Sequence, residues 1–194
     1  MNEKSFKQAA EAYERASALA PYDVKIQFEY ATALFYNKAD FNKVRPQLMT
    51  AYRGIRPETS SDLIKDIYKG LTYHSLYHDG AVTGFSEAIK FGEEYISNRR
   101  SLPSGSIWLN LACAYGQKMS WLRANPSEQT TTVLTNSQEQ SQTLTQAINA
   151  VKQSLLLDPM SKTKFQELLE GTDASENDLA VFKDNENFRS ATGL

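Results

Sequence analysis

Trp108-Leu-Asn-Leu-Ala-Cys-Ala-Tyr115 is the stretch on which the fold turns. Trp108, Leu111, Ala112 and Tyr115 recur at i, i+3, i+4 and i+7, which aligns them on one stripe of a helix. The stripe is bulky at its ends and pinched at Ala112, so a neighbouring helix can approach closely there. It carries on through Met119 and Leu122, which predicts a long helix. Downstream, Ala147, Ala150, Val151 and Ser154 give a second helix a small inner face, and Pro159 follows where it must stop.

Outward from this pair, the same period recurs. Phe6, Ala9, Ala10, Tyr13, Ala16 and Leu19 predict a first helix that ends before Pro21. Asp23 is placed to cap the next, with Phe28, Tyr30, Ala31, Leu34 and Phe35 on its stripe. After a turn at 37–40, Phe41, Val44, Leu48 and Ala51 make a return helix running to Gly54, with Pro46 expected near its start, where a missing N–H is tolerated. A linker at 57–62 leads to Leu63, Ile64, Ile67, Tyr68, Leu71 and Ser75, and a loop at 78–80 to Phe85, Ala88, Ile89, Gly92 and Tyr95. The register of the first of these two helices is ambiguous by a turn, because Gly70 and Tyr73 suit one alignment and Tyr68 and Leu71 another. Residues 125–146 are mostly Ser, Thr, Asn and Gln, and predict an elongated hairpin whose tip, at 126–137, is mobile. Ser161 is placed to cap a short helix with Phe165, Leu168 and Leu169, closed by Gly171. Two small turns anchored by Leu179, Phe182 and Phe188 complete the chain.

Large-small-large on one helix, small residues on the next and a proline after it resemble the tetratricopeptide repeat, a helix-turn-helix of about 34 residues whose copies must stack to bury their faces. Ala9, Tyr13, Ala16 and Pro21 match the second helix of such a repeat, and Ala31 and Leu34 take the pinch and the following bulky position of the first helix in the next. Leu111-Ala112-Cys113 followed by the Leu179–Phe188 run resembles the closing repeat and lid of the "end-of-group" type of array. Gly92 and Tyr95 stand where the family favours an aromatic and an alanine, an exchange that keeps the combined volume. The resemblance implies an all-α fold: a right-handed α-solenoid of antiparallel helix pairs with a C-terminal helical cap. It divides into a half repeat at 1–21, pairs at 22–57, 60–98 and 104–159, and a capping tail at 160–194. The missing first half of the initial repeat points to a piece of a longer array, with the face of Phe6, Ala9 and Tyr13 expected to lie open for contact.

Composition narrows the function. A formal net charge of −2 supplies no bulk basic field for nucleic acid. Apolar runs are short and interrupted, unlike a membrane span. The opening MNEKSFKQAAEAYERA lacks the apolar core of a secretory signal, and the one cysteine, Cys113, has no intrachain disulfide partner, so the cytoplasm is the expected compartment.

Candidates for chemistry are few. His74 and His78 sit at i, i+4, a spacing suited to two metal ligands, but no HExxH pattern accompanies them and surface histidines near a helix end account for both. Cys113 reads as a small residue in a packed or groove-lining stripe rather than a nucleophile. Glu93, Glu94, Glu167 and Glu170 read as solvated helix faces. Arg53, Arg56, Arg99, Arg100, Lys118 and Arg123 fall near helix ends, opposite the dipole's negative pole. Neither a phosphate loop nor a nucleophile elbow is present. No enzyme activity, metal or cofactor is therefore expected.

The resemblance implies a concave groove lined by first helices. Lys25, Phe28, Thr32, Phe35 and Tyr36 are its expected lining on one repeat, and Leu109, Cys113 and Gln117 on another. Exposed aromatics beside a lysine suit a peptide with one apolar anchor and an acid. Chaperone-binding members of the family grip a terminal carboxylate with lysine and asparagine, but Phe28 and Thr32 occupy those places here. The expected function is a non-catalytic protein-interaction module, part of a larger signalling or regulatory protein, binding a peptide or partner protein. The alternatives are a homodimer formed through the N-terminal helix and, less favoured, a metal-dependent or enzymatic role using His74 and His78.

Overall fold

The computed structural model describes residues 3–78, 81–98, 101–126, 136–171 and 177–194, and among them it is helical without a strand. The helices are α1 (Glu3–Leu19), α2 (Val24–Tyr36), α3 (Phe41–Arg53), α4 (Ser61–His78), α5 (Ala81–Ser97), α6 (Gly105–Ala124), α7 (Asn136–Leu157), α8 (Lys162–Glu170) and α9 (Glu186–Thr192). Single 3-10 turns lie at Pro159–Ser161 and Ala180–Phe182. Through α7, each helix packs against the next along the chain. The tip expected to be mobile falls almost wholly on 127–135, outside the described residues.

Side chains fix the helix ends by satisfying N–H groups that have no partner within the helix. Asp23 accepts from the Ile26 N–H at 2.9 Å, Asp40 from Asn42 at 2.8 Å and Asn185 from Phe188 at 2.8 Å. Gly171 closes α8 in the left-handed conformation, φ 63°. Two details depart from expectation. Ser161 does not cap α8 with its side chain; its hydroxyl donates to the Asp158 carbonyl. Pro46 is the sixth residue of α3 rather than a first-turn residue, so its absent N–H removes a helical bond. It lies on the solvent side, where water can serve the freed carbonyl.

α6 is the centre. Ile107, Asn110, Leu111, Ala112, Cys113, Ala114, Tyr115, Gly116, Met119 and Leu122 are buried, so nearly every face of its middle turns is covered. A helix apolar all round is one that is enclosed all round. α4, α5, α7 and the Ala180–Phe182 turn each pack on it. From α7, Ala147, Ala150, Val151 and Ser154 are fully buried, and the Ser154 hydroxyl donates to the Gly105 carbonyl at 2.9 Å. From α4, the Thr72 hydroxyl receives the Asn110 amide at 2.9 Å. From α5, Gly92 leaves the room that Leu111 fills: a Cβ there would lie 2.5 Å from Leu111 Cδ2.

At the N-terminal end, the apolar face of α1 is not open. Phe6 stacks on Tyr36 with ring centroids 4.9 Å apart, Ala10 is buried, and Ala9 and Tyr13 pack against the core. Lys7, Glu11, Glu14 and Arg15 face solvent instead.

Sequence reading assigned Glu93 and Glu94 to solvent; Glu93 is exposed and Glu94 half-buried, and each also accepts from tyrosine. Glu94 receives the hydroxyls of Tyr52 and Tyr68, joining α3 and α4 to α5, and Glu93 receives Tyr115 of α6 at 2.8 Å. Burial first, then the neighbouring carboxylate, holds the phenols of Tyr52, Tyr68 and Tyr115 above the ordinary tyrosine range.

Two outcomes are expected. Gly92→Ala should lower stability in urea unfolding, because overpacking against Leu111 costs about 1–3 kcal/mol and exceeds the gain in helix propensity of about 1 kcal/mol; a more stable variant would refute the close approach. A phenol with a higher pKa folded than unfolded holds its proton more tightly in the folded state, so its contribution is intact below about pH 10 and lost as pH rises beyond it. The urea midpoint should therefore hold steady to about pH 9.5 and then fall, less steeply in Tyr68→Phe; an unchanged slope in that variant would sink the linkage.

Candidate functional site

The cavity that stands out lies between α2 and α4, has a volume of about 350 Å³ and is open to solvent on one side. α2 contributes Phe28, Ala31, Thr32, Phe35 and Tyr36 to its wall; α3 contributes Leu48; α4 contributes Asp66, Lys69, Gly70, Tyr73 and His74. The Asp23 cap sets the start of α2, and from it the helical period delivers Phe28, Thr32 and Phe35 to one side. Thr32 donates its hydroxyl to the Phe28 carbonyl at 3.0 Å and so presents its methyl group outward from the helix backbone. On α4, Asp66, Lys69, Tyr73 and Tyr77 stand at i, i+3, i+7 and i+11, one continuous face.

The aromatic rings brace one another. Phe35 meets Tyr36 edge-on at 5.3 Å, Tyr73 at 5.9 Å and His74 at 5.1 Å. Edge-to-face contacts of this kind hold ring orientation before anything binds. Tyr36 and Tyr73 remain 53% and 40% exposed, so apolar ring surface faces the solvent at the cavity mouth. Lys69 and Asp66 are the charged groups of the wall.

Phe28, Thr32, Phe35 and Tyr36, all read from the sequence, are brought together here. Lys25 is exposed one turn before Phe28 and lies outside the lining. The other three expected groove residues are elsewhere. Leu109 is half-buried on α6. Cys113 is 2% exposed and Gln117 is engaged, because the segment around Asp178 covers this part of α6. Asp178 accepts from Tyr77 of α4 at 2.8 Å and from the Gln117 amide at 2.9 Å, while Leu179 is fully buried. Gly116 makes the approach possible: a Cβ there would stand 2.0 Å from the Asp178 carbonyl oxygen. Arg123, read as a helix-end cation, reaches the Val181 carbonyl at 2.8 Å and holds the same segment down.

His74 is not a surface residue; it is 5% exposed and stacks on Phe41 at 5.6 Å. The His78 side chain, Asp79, Arg99 and Arg100 lie outside the described residues. Among those described, no three His, Cys, Asp or Glu side chains gather as metal ligands, and no helix is long and apolar enough to cross a membrane. Burial, then Asp178, pushes the Cys113 thiol well up, which keeps it protonated. Lys118 pairs with Glu139 of α7 at 2.9 Å.

Sequence reading missed the α4 half of the cavity. The signal was present in the spacing of Asp66, Lys69 and Tyr73, but the ambiguous register hid which face of α4 was inward. Buried Tyr68 and Leu71 settle it.

Cys113 reports on the covering segment. In the native protein its reaction with an aromatic disulfide reagent should be slow. Asp178→Ala should accelerate it by at least about tenfold, because the bonds from Tyr77 and Gln117 to a charged group are both lost. Equal rates in the variant and the parent would show that Asp178 does not hold the cover in place.

Compared with known protein families, with curated protein sequences and with solved structures, the chain matches none.

Proposed function

We propose that this chain is a non-catalytic protein-interaction module of the tetratricopeptide-repeat type, in which antiparallel helix pairs stack as a short right-handed solenoid and the α2–α4 cavity receives a segment of a partner protein. The observation that carries the reading is the cavity itself: a preformed, open, aromatic wall on two helices, with a single lysine and a single aspartate at its edge. Apolar clefts with a few convergent polar groups are the usual form of a binding site. Partly exposed tyrosine and phenylalanine side chains are the usual anchors of an interface.

Contacts between helix ends support the stacked arrangement. Phe6 at the start of α1 meets Tyr36 at the end of α2, while Ser17 near the end of α1 receives Gln27 near the start of α2 at 2.9 Å. Val24 at the start of α2 crowds Gly54 after α3, and Ser154 near the end of α7 reaches Gly105 at the start of α6. Alternate junctions therefore share one edge, as stacked hairpins require. The cytoplasm and a larger regulatory parent belong to the same reading. Pairing of two copies through α1 is the alternative reading, and Phe6 of its apolar face is already stacked on Tyr36.

Selection of a displayed random peptide library on the full chain tests the cavity. Thr32→Trp fills it from a half-buried position without removing any contact that holds α2 to its neighbours. Enriched peptides should lose at least about tenfold in affinity for this variant, while its thermal midpoint stays near that of the parent. Peptides that bind Thr32→Trp as tightly as the parent, or a library from which nothing is enriched, would overturn the assignment.

A further inference from the structure

We infer that the α2–α4 cavity selects a partner segment in which one carboxylate residue is followed directly by an aliphatic residue, the carboxylate meeting Lys69 and the Tyr73 hydroxyl and the aliphatic chain seating against Phe28, Phe35 and Leu48. The inference rests on the interaction-module reading and specifies its ligand.

The chain itself supplies the precedent. On α4, Tyr73 and Tyr77 are one turn apart on one face, with ring centroids 4.8 Å apart. The Tyr77 end of that face is already occupied, by Asp178 and Leu179. There the carboxylate takes a tyrosine hydroxyl and an amide, the next side chain is fully buried, and a glycine on the facing helix gives the backbone room. One turn earlier the same face offers the same kind of surface without an occupant among the described residues: Tyr73 at the mouth, Lys69 beside it, and Gly70 opening the wall above Leu48. Lys69 makes no ion pair among the described residues, so a ligand carboxylate there displaces no internal partner. Lysine offers a ligand carboxylate a full opposite charge, which the tyrosine hydroxyl and amide that hold Asp178 do not.

Asp66 limits the charge. It lies one turn before Lys69 and lines the same wall. A run of acids would set like charges against it, whereas one acid placed toward Tyr73 avoids it and leaves Asp66 to accept a backbone N–H of the ligand. Most of the wall is aromatic or aliphatic, which suits a single apolar anchor beside a single charge.

The peptides enriched on the full chain, resynthesised with the acid or its amide, are the probes. The expected result is an Asp or Glu followed by Leu, Ile or Val in the enriched set. Affinity should drop about tenfold on amide replacement and on Lys69→Glu, with Lys69→Gln intermediate. Lys69 is exposed, so a thermal melt matching the parent's verifies that both variants fold. Enriched peptides that lose binding to Thr32→Trp but ignore Lys69→Glu, or that carry no such pair, would overturn this inference and leave the cavity standing as a docking site. Peptides indifferent to Thr32→Trp, or no enrichment at all, would overturn both.

Discussion

Enclosure of α6 is the constraint on which the other elements depend. A helix that buries the consecutive residues Asn110, Leu111, Ala112 and Cys113, which point to successive sides, must be met from every direction. The small residues of α7 meet one side, Leu111 enters the space left by Gly92 of α5 on another, and Thr72 of α4 satisfies Asn110 on a third. The last side is covered by the segment around Leu179 and Phe182. Each neighbour is held in place by a specific complement to α6, so a change in one is felt by the rest through a close-packed interior.

Away from α6 the packing loosens, and that difference positions the cavity. α4 lies against α6 through short side chains, Thr72 and Asn110 among them. Between α2 and α4 the facing residues are Phe28, Phe35, Tyr36 and Tyr73, whose rings brace each other and leave a gap floored by Leu48. The same α4 face thus serves two ends: near its C-terminus it receives the chain's own Asp178, and in its middle it borders open space.

Much of this was legible in the residues. The 3.6-residue period of Trp108–Tyr115 and its counterparts announces helices throughout, and the Asp23 cap and the Gly171 stop act as local chemistry requires. Four aromatic or small residues of α2 at the cavity follow from the same period. What periodicity does not encode is the partner across the fold. Gly116 reads as an ordinary weak spot in a helix until Asp178 is seen to sit against it. Glu94 looks solvated until Tyr52 and Tyr68 arrive from other helices. Cys113 falls on the expected groove face, yet it is buried beside Tyr77 of α4 and Asp178 of the tail. His74 likewise carries no local mark of burial among Phe35, Phe41 and Tyr73.

The Tyr77–Asp178 bond joins residues 101 positions apart, whereas the helices before α8 meet mainly their sequence neighbours. Neighbour contacts close short loops and form early, and long-range closure comes after them. During synthesis, α1 to α7 can therefore assemble as they emerge, while the cover on α6 waits for its distant residues to be made. Until then the cleft at Gly116 stands bare, so the nascent protein passes through a stage whose surface differs from that of the finished one. Arrival of Asp178 ends that stage by laying its segment over α6.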